Sequence, residues 1–550
     1  MVGSVCPEVQ EVKPDPKTLQ KYQEERNKRF RQDGLAQFID LDKTEPFKYL
    51  NEDPFVDHDA LNSQEAVLKD GSECQVLIYG AGYGGLVLAV RLIQAGFRAE
   101  DIVIVDTARG YGGTWYWNRY PGLMCDIESY VYMPLLEETG YMPKHKYAYQ
   151  PELRAHADRI AELWHLQALF RTKVDSQIWD EGRKQGPGKG KQNLQVHANF
   201  VVMTGGLLPV PHIPKLDGLE DFKGGSEHDQ RLINLHNKTV GLTGTGATAV
   251  QLIPELAKSA KQLHVFQRTP SSCDTRGQRA TTRRDWAAIT ANNTRGWHDA
   301  RSHNFNQHVR HEAPAGVANL VDDGWTRMPG SLTVLGNGGA PLAPASLQAG
   351  VVRVLVQAAV LPRRVPARLQ PAPRAPRRHA RPPMPGSPAL NANVKVVGRK
   401  GPDMDEMWER VGVADGFPNC FVWSPTQTGL APNAVAVIDF VARHTAYIIE
   451  EARKRAGGAE KFAVQATREA EEAWATESAM RAGWFCAVGG VQTPRYLNKE
   501  GLMDKMVELS PEEQFKQGRA AHWGGGWVDD TEKIMRWKKD GGLKGLEVWT

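Results

Sequence analysis

The chain has 550 residues, 41% hydrophobic and 24% charged, and its 68 basic against 64 acidic side chains leave a net charge of +4. Such a length buries several cores without disulfides or metals, and so even a charge balance excludes a nucleic-acid or anionic-membrane surface as the organising feature. Glycine (53) and proline (34) stand out, but the glycines have no three-residue period and the hydrophobic content is ordinary, which excludes a collagen-like or disordered chain.

The cysteines Cys6, Cys74, Cys125, Cys273, Cys420 and Cys486 lie far apart without a C-x-x-C pair. No disulfide scaffold, metal site or dithiol chemistry is expected from them. Met1 to Asp15 carries charges and no apolar core, unlike a secretory signal. No run approaches the roughly 18 apolar residues of a membrane span, so a cytoplasmic protein is expected. Residues 1–70 read as a polar extension wrapping the first domain, with a mixed-charge helix over Leu19 to Gln32.

Order begins at Cys74. Gln75-Val76-Leu77-Ile78-Tyr79 reads as a strand buried on both faces, Gly80-Ala81-Gly82-Tyr83-Gly84-Gly85 as a turn, and Leu86, Ala89, Val90 and Ile93 as one face of a helix ending at Gly96. A second strand, Ile102 to Val105, ends at Asp106. In this β–turn–α–β context G-x-G-x-x-G is a dinucleotide site. Gly80 makes the tight turn, Gly82 lets backbone approach a pyrophosphate, Gly85 permits close helix packing, and Asp106 accepts from a ribose hydroxyl.

The pattern returns. Thr239 to Leu242 reads as a strand and Gly244-Thr245-Gly246-Ala247-Thr248-Ala249 as a G-x-G-x-x-A turn. A helix through Val250, Ile253, Leu256 and Ala257 follows, then the strand Leu263 to Phe266. This unit closes on Gln267-Arg268-Thr269 instead of an acid, and a guanidinium binds a 2′-phosphate where a carboxylate repels it. The first site therefore suits FAD or NAD and the second NADPH, the pairing that passes a hydride from nicotinamide to flavin.

Between the units lies Gly112-Gly113-Thr114-Trp115-Tyr116-Trp117-Asn118-Arg119-Tyr120-Pro121-Gly122, continuing to Asp126, with flat rings suited to a flavin. With both glycine turns, this loop closely resembles the class B flavin monooxygenases, in particular the Baeyer–Villiger monooxygenases and their fungal members that tailor polyketides and terpenoids. The resemblance covers about residues 17–340 and 394–510. It implies an α/β fold of two Rossmann-like dinucleotide-binding domains, the NADPH domain inserted into a discontinuous FAD domain. The expected parts are an extension (1–70), the first part of the FAD domain (71–206), the NADPH domain (207–340), an aberrant segment (341–393) and a C-terminal part completing the FAD and substrate domain (394–550).

The resemblance further implies that Gly80, Gly82, Gly85 and Asp106 hold FAD and that Thr114, Trp117, Asp126 and Tyr132 line its flavin. It places NADPH on Gly244, Gly246 and the run Thr245, Ala247, Thr248, Ala249, Val250 and Gln251, with Arg268 and Thr269. Family members reduce FAD with NADPH, activate dioxygen and insert one oxygen atom beside a ketone carbonyl, giving an ester or lactone. Negative charge developing in a dry site calls for a nearby cation. In the family this is an arginine oriented by the carboxylate matching Asp126. Two other outcomes are a tailoring oxidoreductase that hydroxylates, or oxidises an alcohol on, a polyketide or polyketide–amino-acid macrocycle, and a cofactor-binding remnant without catalysis.

Three departures accompany the match. The fingerprint F-x-G-x-x-x-H-x-x-x-W survives as Phe222, Gly224 and His228, but Leu232 replaces its tryptophan, and the stretch up to Asn234 is short against the family. Thr204-Gly205-Gly206 stands for the small-residue strand end that closes the flavin domain. Pro341 to Leu390 contains 11 Pro, 8 Arg and 10 Ala without Asp, Glu or Lys. It reads as a basic Pro-rich tether or, better, as a wrong-frame translation of GC-rich coding sequence. The family's catalytic arginine falls in this stretch. Arg377, Arg378 and Arg381 have no matching context, so Asp126 is expected to lack a partner.

Beyond the break, Val394 to Val397 reads as a strand. Gly416-Phe417-Pro418-Asn419 and Ser424-Pro425-Thr426 resemble the family's return to the flavin, and Asn433 to Arg455 reads as a helix stopped by Gly457. Tyr496 to Gly501 and the tryptophans Trp523, Trp527, Trp537 and Trp549 match the closing substrate-side layer, where packing is their expected role.

Overall fold

The computed structural model describes residues 34–40, 53–57, 68–206, 213–221, 234–267, 276–327, 395–397, 412–413, 416–481 and 510–550, with short internal breaks, and isolated positions elsewhere. The charged stretch Leu19 to Gln32 (apart from Gln20 and Glu24), the fingerprint positions Phe222, Gly224, His228 and Leu232, and Arg268 and Thr269 lie outside the described residues. So do residues 341–393, Ser424 to Thr426 and Tyr496 to Gly501.

Strand β1 (Glu73–Tyr79) leads through the glycine turn into helix α1 (Tyr83–Gln94) and then strand β2 (Ile102–Val105). Val76, Ile78 and all of β2 are buried, as an apolar run covered on both faces requires. Helix α2 (Gln150–Leu163) precedes β3 (Gln167–Leu169), β4 (Ser176–Ile178), β5 (Gly186–Lys189) and β6 (Gln195–Met203). The second unit comprises β7 (Thr239–Thr243), α3 (Ala247–Ser259) and β8 (Gln262–Phe266), followed by α4 (Trp297–Val309). The C-terminal part contributes β9 (Lys395–Val397), β10 (Gly412–Val413), β11 (Cys420–Val422), α5 (Ala434–Arg455), β12 (Ala463–Ala466), α6 (Arg468–Arg481), α7 (Gly526–Lys539) and β13 (Leu546–Trp549).

The main sheet runs β3-β2-β1-β6-β5-β4-β9, with β11 also on β6. β1 is parallel to both β2 and β6, with Ile78 opposite Ile104 and Val202. Strands from beyond residue 390 complete this sheet: β9 pairs with β4, and β11 pairs with β6 through Cys420 opposite Val201. The domain built on this sheet is therefore discontinuous in sequence, with the second unit inserted between its parts. β5 is the unexpected strand. Its sequence, Gly186-Pro187-Gly188-Lys189, argues against a strand on composition, yet it pairs antiparallel with β6, Pro187 opposite His197. Cys74, Cys125 and Cys420 are free and buried. Among the described residues no helix is long and apolar enough to cross a membrane, and no cluster of side chains suits a metal.

Candidate dinucleotide and flavin site

The first glycine turn is built as its spacing requires. Gly80 adopts φ +112°, a left-handed conformation open to glycine, and its N–H donates to Val105 O at 2.8 Å. Helix α1 begins behind Gly82 with no side-chain cap, leaving its first amides for an anion. A Cβ on Gly85 would collide with the Gly80 carbonyl oxygen, so only glycine lets α1 sit this close to the turn. Asp106 braces the arrangement. Its Oδ2 accepts from Ala81 N–H at 2.6 Å and its Oδ1 from Ala108 N–H at 2.8 Å. Burial pushes its pKa up, while these amide donors act the other way. A carboxylate has about four acceptor sites, so a ribose hydroxyl can be accepted beside the two amides.

The turn opens into a cavity of about 1330 Å³, above the roughly 300–1,000 Å³ common for small-molecule sites and of dinucleotide scale. Gly80, Gly82, Asp106, Thr114, Trp117 and Tyr132 line it, as do Thr204, Gly205 and Gly206 beyond β6 and the first turns of α5. Gly85 packs behind the turn. Thr204 Oγ1 donates to Tyr79 O at 2.9 Å, which fixes the small-residue closure.

The aromatic loop divides its side chains. Thr114–Trp117 forms one helical turn, so positions three apart share a face. Thr114, Trp115 and Trp117 line the cavity, whereas Tyr116, 1% exposed, packs away from it. Aromatic density alone thus overstates ligand contact. Tyr116 Oη donates to Asp53 Oδ2 at 2.5 Å, and the Arg119 guanidinium lies 3.6 Å from the Phe55 ring centroid. Asp53 and Phe55 come from the N-terminal extension, for which the sequence offers no such signal.

The second turn repeats the first. Gly244 has φ +100° and donates its N–H to Phe266 O at 2.8 Å. Gly246 precedes α3 with φ −75° and ψ −170°, against −76° and −174° for Gly82 before α1. The amides at Ala247 and beyond again lack a side-chain cap. β7 and β8 are parallel and half exposed, with no third strand beside them among the described residues. Thr245 Oγ1 accepts from Gln267 at 3.0 Å, Ala249 is buried and Val250 exposed.

Two residues expected at NADPH make other contacts. Gln251 Nε2 donates to Met124 O at 3.0 Å, and its Oε1 accepts from Met124 N–H at 3.2 Å. Thr248 Oγ1 accepts from Tyr120 Oη at 3.2 Å. Both join the second unit to the aromatic loop.

Asp126 is half exposed, outside the lining of the cavity, and it has a partner. Arg276 Nη2 lies 3.5 Å from Asp126 Oδ2, and Arg276 Nη1 donates to the Asp126 carbonyl oxygen. Trp325 Nε1 donates to the same oxygen at 3.2 Å, and the Arg276 guanidinium lies 5.9 Å from the Trp325 ring centroid. The expectation of an unpartnered Asp126 is thereby revised. A contact across 150 residues leaves no trace in local spacing.

Comparison with known proteins agrees with this geometry. Residues 78–143 match the model of an NAD(P)-binding Rossmann-like domain. A polycyclic ketone monooxygenase of Thermothelomyces thermophilus is 37% identical, with 96% of each chain covered, over 634 positions. Because this chain has 550 residues, the relative carries stretches without counterpart here. An FAD-binding monooxygenase of Penicillium brasilianum is 35% identical over 96% of both chains. The solved structure of the polycyclic ketone monooxygenase superposes with a TM-score of 0.83 at 36% identity, covering 97% of this chain and 99% of that one. Cyclohexanone monooxygenase, at 22% identity and a TM-score of 0.60, shares the fold. The chain belongs to the family of FAD-dependent, NADPH-using monooxygenases of the Baeyer–Villiger type.

Proposed function

We propose that this chain inserts one oxygen atom of dioxygen into a bulky fused-ring ketone of secondary metabolism, with FAD at the Gly80 turn and NADPH at the Gly244 turn. The observation that carries the reading is the pair of glycine turns with matching backbone angles, one opening into a dinucleotide-sized cavity and the other joined to the loop that lines it. FAD, when bound, supplies the hydride acceptor and the centre that activates dioxygen. The residues supply the rest. Amides at the start of α1 meet the pyrophosphate, Asp106 the ribose, and Thr114, Trp117 and Tyr132 flank the flavin.

Arg276, paired with Asp126 outside the described lining of the cavity, is the candidate for the cation that the family resemblance implies. A preorganised guanidinium stabilises negative charge without reorganising when that charge develops. The name of the Thermothelomyces relative supports a polycyclic ketone as the substrate class. The test is incubation of FAD-loaded protein with NADPH, air and a panel of fused-ring ketones. A lactone or ester carrying one added oxygen atom supports the reading. NADPH consumption that yields only hydrogen peroxide with every ketone contradicts it.

A further inference from the structure

The segment Tyr120–Asp126 belongs to the flavin side of the molecule but is held from the nicotinamide side at three points. Tyr120 Oη donates to Thr248 Oγ1 on α3 at 3.2 Å. Gln251, one turn further along α3, bonds both main-chain groups of Met124. Arg276 and Trp325, which follow the second unit in the chain, both donate to the main-chain oxygen of Asp126. At Gly122 the ideal Cβ position lies 2.5 Å from Gln251 O, so the loop backbone lies directly on the helix backbone. The same loop begins with Thr114 and Trp117, which line the flavin cavity.

The chemistry of Gln251 is specific to this contact. An amide side chain accepts through oxygen and donates through nitrogen, and both are satisfied by one residue's N–H and C=O. Neither a carboxylate nor an apolar chain of the same length can do this. A side chain engaged in this way fixes α3, and the Gly244 turn at its start, at a set distance from the flavin loop.

We infer that Gln251, with Tyr120, is a positioning residue: it locks the NADPH-binding turn onto the Tyr120–Asp126 loop and thereby sets the approach of nicotinamide to flavin, instead of serving as an NADPH ligand. The inference rests on the proposed two-cofactor reading. Hydride transfer needs reacting atoms about 3–3.5 Å apart, and misplacement by about 1 Å costs on the order of 100-fold in rate. Loosening the lock therefore slows flavin reduction before it weakens binding of either cofactor.

The test compares wild type with Gln251→Met, Tyr120→Phe and the double variant, as FAD-loaded full-length protein. Anaerobic mixing with NADPH measures the limiting rate of flavin reduction and the NADPH dissociation constant, and hydrogen exchange reads the Met124 amide directly. The expected result for Gln251→Met is a reduction rate lower by about tenfold or more, an NADPH dissociation constant within about twofold, and faster exchange at Met124. The double variant is expected to be no slower than the worse single one, because contacts in one network are not additive. Gln251→Glu, which keeps the acceptor and loses the donor, is expected to fall between.

An NADPH dissociation constant raised about tenfold at an unchanged reduction rate would make Gln251 a cofactor ligand and overturn the inference. Unchanged exchange at Met124 overturns it whether or not the enzyme turns over, so the inference is decided even for a variant with poor FAD retention. Normal reduction without any oxygenated ketone removes the proposed function and leaves this inference standing.

Discussion

Asp106 engages both carboxylate oxygens with backbone amides, so it serves the shape of the glycine turn as much as a ribose. Asp106→Asn keeps the volume but opposes an N–H to one of the two amides. An unsatisfied buried donor costs about 1–3 kcal/mol, so FAD affinity should drop by about 5- to 150-fold, measured by fluorescence titration of apoprotein with FAD. Unchanged affinity would remove Asp106 from the site. Arg276→Ala should lower oxygenated product by about 100-fold, a larger loss than the slowing of flavin reduction that follows from removing one hold on the Tyr120–Asp126 loop. Product assays beside peroxide assays check this, and loss of both together would contradict the role.

At this scale the glycines and Asp106 were legible because their conformations follow from short sequence spacing. Arg276 was not, because it reaches Asp126 from 150 residues away. Nor was Gln251, whose motif position suggested a cofactor contact while its amide is bound to Met124.

The two strand–turn–helix units show how far local rules extend to elements. Sequence spacing placed a strand at Ile102 to Val105 and a helix from Asn433 to Arg455, and the structure has β2 over Ile102–Val105 and α5 over Ala434–Arg455. Both have strong periodicity and definite stops. β5 defied the rules because pairing with β6 overrides the poor strand propensity of glycine and proline. The C-terminal tryptophans were legible as packing residues only in part. Trp523 is buried and stacks on Trp474 at 4.8 Å, whereas Trp537 lines the cavity. At element scale the sharpest test is Gly85→Ala. The added methyl meets the Gly80 carbonyl oxygen, so α1 must shift from the turn. The expected outcome is loss of bound FAD with destabilisation of about 1–3 kcal/mol, seen in the flavin-to-protein ratio and the melting temperature. A flavin-replete variant of normal stability would contradict the close packing.

Across the whole molecule, buried titrating groups set the response to acid. His156 is fully buried, with Nε2 2.7 Å from Pro134 O, and burial pushes its pKa down to about 4 from 6.5. His444, edge-on to Trp537, is likewise pushed down to about 3 by burial. Asp530 goes the other way, up to about 7 from 3.8 through burial. Between pH 4 and 6.5 the unfolded chain therefore carries two histidine protons that the fold excludes, and the fold keeps one carboxyl proton that the unfolded chain has lost. The histidines make stability fall on acidification and Asp530 opposes them. His156 alone contributes a slope approaching about 1.4 kcal/mol per pH unit in favour of the higher pH. Denaturant melts across this range should show that slope reduced in His156→Gln. An unchanged slope would place the histidine's titration elsewhere.

The discontinuity of the flavin domain also belongs to this scale. β9 and β11 return to a sheet begun more than two hundred residues earlier, and family resemblance, not local pattern, is what made that return legible. The central claim is that this molecule joins reduction at one dinucleotide turn to oxygenation at the other. Turnover of a fused-ring ketone with NADPH under isotopically labelled dioxygen tests it most directly, with the product analysed by mass spectrometry. One labelled atom in a lactone or ester is the predicted result. Unlabelled product, or labelled hydrogen peroxide with the ketone untouched, would contradict it.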